Sequence, residues 1–312
     1  MSATHGTADR PAQAATTAPL QAPGGGFAML ALDQRESLRR MFPAVDGREA
    51  SDEQLRRFKA TATRVLAPRA SAVLLDRPFA VTGTRPEALG AASLILAADV
   101  LDQPPGEAVA GSHLDPLVTP EFIGRVGAVA VKFLVVWRPD GRTGERAGLV
   151  ASFLDVARAA GVASLVEAVV RPPAGQDWAG DIERHAAILQ AAREISTLGG
   201  SIYKAEVPGY APGDVSLVRE QAQRLSEIVP GPWVVLSNGV APADFPDALR
   251  EACRGGARGF LAGRAIWGDT VADADTLDAL TRRSAPRLDA LAGIVARESA
   301  ARPQAGVEGA GR

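Results

Sequence analysis

Three lysines stand out in a chain that otherwise carries its positive charge on arginine: Lys59, Lys132 and Lys204, among 34 basic residues in all. Arginine stays protonated, whereas a desolvated lysine can give up its proton and attack a carbonyl carbon. Lys132 and Lys204 fall inside the apolar runs 129–137 and 201–207, where an unpaired charge is costly. Two ammonium groups close together in such surroundings disfavour each other's charge and depress the pKa of at least one. The chemistry to expect is that of an amine: condensation with a ketone to an iminium ion, which draws electrons from the adjacent carbon–carbon bond. Glu167, in the apolar run between the two lysines, is the group to move protons in such a sequence. Two plainer readings compete. One is a lysine snorkelling from a strand end to solvent; the other is a buried Lys132–Glu167 ion pair without catalytic duty, which leaves Lys204 unpaired.

The bulk composition bounds the other possibilities. The chain has 312 residues, 46% of them hydrophobic, and a formal net charge of −2. No basic stripe points to nucleic acid, so any phosphate affinity has to be local to a site. A single cysteine, Cys253, excludes a disulfide framework and fits a reducing compartment. Of His5, His113 and His185 the first lies in the low-complexity tail, which leaves too few for an ordinary three-ligand zinc site while carboxylate ligation stays open; neither a metal nor a cofactor is expected. No run has the length of a membrane span and the N-terminus lacks an apolar signal core, which reads as a cytoplasmic protein.

The elements that would hold these side chains follow from the pattern. Strand-like runs rich in Val, Ile, Leu and Ala occupy 27–33, 71–76, 94–99, 129–137, 164–170, 201–207, 233–238 and 259–264. None alternates strictly with polar residues, as expected of parallel strands covered on both faces. Helical patterns fill 51–66, 145–160, 178–198, 214–228, 242–254 and 272–298, the first opened by Ser51 with Gln54 three residues on. Residues 86–90 read as one helical turn and 120–126 as a short helix. Eight such units point to an α/β fold of the (β/α)8 (TIM) barrel type over 24–300, between mobile tails at 1–23 and 301–312. An open doubly wound sheet is the alternative, but no Gly-x-Gly-x-x-Gly follows the first strand.

Polar residues cluster at the C-terminal ends of the runs, where barrel enzymes carry their chemistry. Asp33, Gln34 and Arg35 follow the first, Lys132 lies in the fourth, Glu167 in the fifth, and Lys204 and Glu206 share one face of the sixth. Asp76, Asp99 and His113 are read as solvated loop positions. The segments Leu236-Ser237-Asn238-Gly239-Val240 and Phe260-Leu261-Ala262-Gly263-Arg264 together form an anion cradle: glycines admit backbone amides, Ser237 adds a hydroxyl and Arg264 a bidentate fork. Arg138 and Arg171, after the fourth and fifth strands, receive either a second anionic group or an acidic side chain of a neighbouring subunit. The partner is thus a small phosphorylated ketose. A homo-oligomer is expected, with the helix at 272–298 covering its own barrel or building the contact.

As a set, five segments resemble the class I aldolases of the tagatose-bisphosphate type, and within them the sulfosugar branch, the sulfofructosephosphate aldolases, more closely still. They are Gly25-Gly26-Phe27-Ala28-Met29-Leu30-Ala31-Leu32-Asp33-Gln34-Arg35-Glu36, Val135-Val136-Trp137-Arg138, Val169-Val170-Arg171-Pro172-Pro173, Tyr203-Lys204-Ala205-Glu206 and Gly259-Phe260-Leu261-Ala262-Gly263-Arg264-Ala265-Ile266-Trp267. The resemblance implies a Schiff-base role for Lys204, charged partners in Lys132 and Glu167, a polar strand-one motif in Asp33 and Gln34, and an anion pocket of Ser237, Gly239, Gly263 and Arg264. It implies cleavage of 6-deoxy-6-sulfofructose 1-phosphate to dihydroxyacetone phosphate and 3-sulfolactaldehyde. Tagatose or fructose bisphosphate is the alternative substrate on the same machinery. A phosphosugar isomerase using Glu167 as base and a sugar-phosphate-binding regulator are the rivals outside it. The chain departs from the family's usual pattern at Ala168, where proline is common, at Asn238, where serine or alanine is, and at Gly209.

Overall fold

Alternate residues of the first apolar run fall into two different cores. In the computed structural model, which describes residues 15–44, 47–104 and 108–302, Phe27, Met29 and Ala31 pack with Leu74, Ile95, Leu165 and Leu261 inside a barrel. Their neighbours Ala28, Leu30 and Leu32 pack outward against the helices. Both faces of each strand are therefore apolar, which is why the runs show no polar alternation.

The strands are β1 (Phe27–Leu32), β2 (Ala72–Leu75), β3 (Ser93–Ala97), β4 (Ala128–Trp137), β5 (Ala163–Val170), β6 (Ile202–Ala205), β7 (Trp233–Val235) and β8 (Gly259–Ala262). All pair in parallel, and they close in the order β1-β8-β7-β6-β5-β4-β3-β2. The expected (β/α)8 barrel is what the chain forms.

Among the described residues seven longer helices surround it: α1 (Asp52–Leu66), α2 (Pro120–Val126), α3 (Thr143–Ala160), α4 (Asp181–Ile195), α5 (Val218–Ile228), α6 (Phe245–Arg254) and α7 (Ala285–Ala300). Ser51 and Gln54 close the capping box in front of α1, each accepting a hydrogen bond from the other's backbone N–H. The turn expected at 86–90 is a 3-10 turn, Glu87–Leu89. Three helices start later than their patterns suggested, α6 because the chain first makes a turn in which Asp244 N donates to Ala241 O. Gly180 is fully extended before α4, and the Asp214 carboxylate accepts from Ser216 N to make a turn ahead of α5. The single helix expected over 272–298 is interrupted. A short helix, Thr276–Ala279, runs into a π turn, Leu280–Ser284, and then into α7. Pro286 in the first turn of α7 has no N–H to donate, and the ladder shifts by one residue just before it, with Ala285 N reaching Leu280 O.

Two further features depart from the expectations. An antiparallel hairpin, Asp99–Asp102 paired with Gly111–Leu114, stands between β3 and β4. It brings Leu101 and Val109 against Leu134, Val169 and Leu236 at the barrel mouth. At the other end Leu20, in a 3-10 turn at Ala18–Leu20, is buried in the interior cluster and plugs the barrel floor. Order thus begins before residue 24, because that floor needs an apolar cover. The remainder of the expected tails, 1–14 and 303–312, lies outside the described residues. Among the described residues no helix is long and apolar enough to cross a membrane.

Candidate active site

The inward parity of the first six strands, carried on toward the C-terminal end, finishes in a charge. Positions 27, 29 and 31 lead to Asp33, 72 and 74 to Asp76, 95 and 97 to Asp99, 130 to Lys132, 163 and 165 to Glu167, and 202 to Lys204. The strand register then sets the neighbours: Lys132 lies opposite Ala97, and Glu167 lies directly opposite Lys204. All six side chains are buried. Asp76 and Asp99 are therefore interior groups and not the solvated loop positions expected of them, at 0% and 1% exposure. His113 is exposed as read, but it lies in the hairpin strand Gly111–Leu114 and not in a loop.

Lys132 sits among three carboxylates. Its Nζ lies 2.7 Å from Asp33 Oδ2, 3.0 Å from Asp99 Oδ2 and 3.0 Å from Glu167 Oε2. The Asp99 contact is a hydrogen bond, and Asp33 and Glu167 pair with the ammonium by charge. Burial alone would lower its pKa, but Asp33, Asp99 and Glu167 outweigh burial and hold it well above the usual lysine range. The expectation that the two lysines would depress one another thus fails for Lys132, because carboxylates outnumber the ammonium groups around it. Glu167 and Asp33 mirror this. Burial pushes both carboxyls up, and the charges of Lys132 and Lys204 pull them below the ordinary carboxylate range.

Lys204 differs. Its Nζ donates to Glu167 Oε2 at 2.9 Å, so it is not left unpaired as the plain ion-pair reading required. That carboxylate oxygen is the same one that Lys132 holds. Lys204, Lys132, Glu167 and Asp33 all line one cavity of about 350 Å³ at the C-terminal mouth of the barrel.

Gln34, Arg171, Ser237, Asn238, Gly263 and Arg264 line the same cavity. Arg264 follows β8 at the start of a short helix, Arg264–Trp267, and its Nη2 donates to Asn238 Oδ1. Asn238 Nδ2 in turn donates to the buried Glu206 at 3.3 Å, which also accepts from Arg184 at 3.0 Å and from Val170 N at 2.9 Å. Glu206 therefore fixes the cradle from behind. Burial lowers the pKa of both Arg264 and Arg171. Arg171 Nε and Gln34 Oε1 are buried with no hydrogen-bond partner among the described residues. At Gly263 a Cβ would come 2.5 Å from Ala31 O, so only glycine lets β8 pass so close to β1.

Two expected anion-site residues do not reach the cavity. Arg138 lines a separate cleft between β4 and α3 and donates to Pro172 O. It stands six residues beyond Lys132, roughly 20 Å along the strand. Gly239 has φ +77, and a Cβ there would lie 2.8 Å from Arg184 Nη2; it makes room for that arginine. Arg184, Ser37 and the hairpin residues Leu101 and Val109 were absent from the sequence-based set. Asp76 and Asp99 could have been found by parity alone; Arg184, on α4, carries no such signal.

The profile of the DeoC/LacD family aldolases matches residues 27–269. The tagatose 1,6-diphosphate aldolase 2 of Streptococcus pyogenes is 28% identical over 275 residues, covering 79% of this chain and 82% of its own. The tagatose 1,6-diphosphate aldolase of Listeria monocytogenes is 28% identical over 273 residues, covering 79% of each. Among solved structures, an archaeal fructose 1,6-bisphosphate aldolase superposes with a TM-score of 0.58 at 18% identity, over 89% of this chain and 96% of its own. A Schiff-base-forming fructose-1,6-bisphosphate aldolase gives 0.57 at 17% identity, over 88% and 96%. The structures share the barrel; the profile, spanning most of the chain, shows that this protein belongs to the DeoC/LacD family of aldolases, carbon–carbon lyases.

Proposed function

We propose that the chain is a class I aldolase in which Lys204 forms a Schiff base with a ketose 1-phosphate bearing a second anion at its far end. 6-Deoxy-6-sulfofructose 1-phosphate is the substrate proposed. One observation carries the choice of nucleophile: both lysines line the cavity, but Lys132 is ion-paired to three carboxylates and Lys204 to one. Glu167, hydrogen-bonded to Lys204, takes the proton that frees the amine. The amine attacks C2, and loss of water from the carbinolamine leaves an iminium ion. A carboxylate, Glu167 or Asp33, removes the proton of the C4 hydroxyl. The C3–C4 electron pair then moves onto the iminium as an enamine, and 3-sulfolactaldehyde leaves. Protonation at C3 and addition of water release dihydroxyacetone phosphate and restore the amine.

Arg264 with Ser237 and the Gly263 backbone receives one anion, and Arg171, whose buried Nε has no acceptor, receives the other. Borohydride reduction in the presence of dihydroxyacetone phosphate adds the mass of the reduced adduct at Lys204, and Lys204→Ala abolishes it. Labelling that persists in that variant defeats the assignment. The scheme uses no metal, so turnover survives excess chelator.

The relatives named above favour a second reading, cleavage of tagatose or fructose 1,6-bisphosphate by the same groups. The ratio of kcat/KM for the sulfonated and the bisphosphorylated ketose separates the two: a ratio below one rejects the sulfosugar. A cytoplasmic homo-oligomer completes the proposal, and a monomer mass in light scattering counts against the assembly.

A further inference from the structure

Behind the cavity lies a row of charges that the scheme above does not use. Lys59 on α1, Asp76 after β2 and Asp99 in the hairpin are buried, and Arg35 after β1 is partly so. Lys59 Nζ pairs with Asp76 Oδ1. Asp76 Oδ2 accepts from Phe79 N at 3.1 Å and faces Arg35 Nε at 3.9 Å, a purely electrostatic contact since that Nε has no hydrogen-bond acceptor. Arg35 Nη2 donates to Asp99 Oδ1 at 3.2 Å. Asp99 Oδ2 accepts from Lys132 Nζ and from Leu134 N, each at 3.0 Å. The signs alternate from the helical layer to the floor of the cavity.

Such a row is costly as a structural device. Lys59 sits in the apolar layer beside Leu55, Phe58 and Ala62, where an aliphatic side chain would pack without desolvating a charge. What sets the row apart is where it ends. Its last member, Lys132, shares one oxygen of Glu167 with Lys204. We propose that Arg35 and Asp99 are positioning residues, the inner end of a charge relay from Lys59 that sets how readily Glu167 takes the proton of Lys204. The inference rests on the Schiff-base reading of Lys204.

The groups facing this centre come from every adjoining strand. Asp33, Asp99 and Glu167 are negative, and Lys132, Lys204 and Arg35 are positive, so the inner set is neutral. Lys59 and Asp76 cancel behind it, and Arg264 acts on Asp33 and Glu167 from across the cavity, with Arg40 beyond. Removing the Arg35 charge leaves the inner set one unit negative, so the proton transfer that precedes adduct formation moves to higher pH. Removing the Asp99 charge does the reverse. A unit charge about 10 Å away moves such a titration by roughly one pH unit.

The test is the pH dependence of borohydride trapping with dihydroxyacetone phosphate in the unaltered enzyme and in Arg35→Gln, Arg35→Lys and Asp99→Asn. Arg35→Gln shifts the profile alkaline by roughly one unit, Asp99→Asn shifts it acid, and Arg35→Lys restores it. A profile that superposes on the unaltered enzyme's in Arg35→Gln or Asp99→Asn, with only the melting temperature lowered, overturns the relay and leaves a structural role. Shifts in the same direction overturn it too. If one variant does not fold, the other is judged against Arg35→Lys on the same criterion. No adduct in the unaltered enzyme overturns the Schiff-base reading and the relay with it, whereas trapping without a shift overturns the relay alone.

Discussion

At the residue scale the two interior lysines divide their work by the number of carboxylates each meets. Lys132 is a fixed cation, and its charge allows Asp33, Asp99 and Glu167 to stay ionised side by side. Lys132→Met leaves those carboxylates facing one another without it. We expect a loss of about 3–5 kcal/mol in urea unfolding at neutral pH, as for a buried ion pair deprived of one partner. Turnover falls by about 10²–10⁴, the usual worth of an organised proton-transfer group. A variant as stable and active as the parent would show that Lys132 is a spectator. Asn238 works differently, passing the grip of Glu206 on to Arg264. Asn238→Ala leaves the reacting groups alone, so steady-state kinetics should show KM raised about tenfold, roughly 1.4 kcal/mol of binding, with kcat changed much less.

At the element scale the strands were legible in the sequence and several of the connections were not. Short runs of Val, Ile, Leu and Ala mark parallel strands because both faces must be covered, and all eight appear where they were read. The hairpin Asp99–Asp102/Gly111–Leu114 left no such mark, since its strands are four residues long and half polar. Only its packing against Leu134, Val169 and Leu236 gives it a place. The interrupted helix before α7 was likewise hidden: the amphipathic pattern continues through Leu280–Ser284 although the hydrogen-bond ladder does not. The seam between β1 and β8 needs glycine at its other end as well as at Gly263. Gly259 has φ +135, and a Cβ there would lie 2.0 Å from Phe27 O on β1. Gly259→Ala must push the strands apart, so it should cost more than about 3 kcal/mol in chemical denaturation. A stability within experimental error of the parent's would mean that β1 and β8 give way easily.

At the scale of the whole molecule the buried charge cluster gives stability a defined pH dependence. Asp33 and Glu167 have folded pKa values below those of the unfolded chain. Their contribution is complete above about pH 4.5 and is lost as pH falls through the lowered folded values. Lys132 has its folded pKa raised, so its contribution is complete below about pH 10 and is lost as pH rises through that value. Unfolding free energy measured against pH should therefore be flat on their account between about pH 5 and 10. In Lys132→Met the deficit should shrink on acidification, as the crowded carboxylates take up protons; a deficit that grows instead would contradict this account of the cluster. Family membership sets aside the isomerase and regulator readings. The sequence alone determined the barrel, the interior lysines and the polar residues that follow strands seven and eight, because strand periodicity and residue chemistry are local properties. Only the tertiary structure decided that Arg138 stands above the site, and that Lys132 meets three carboxylates while Lys204 meets one. Those outcomes depend on which strands lie side by side and in what register, and no single stretch of chain carries that information.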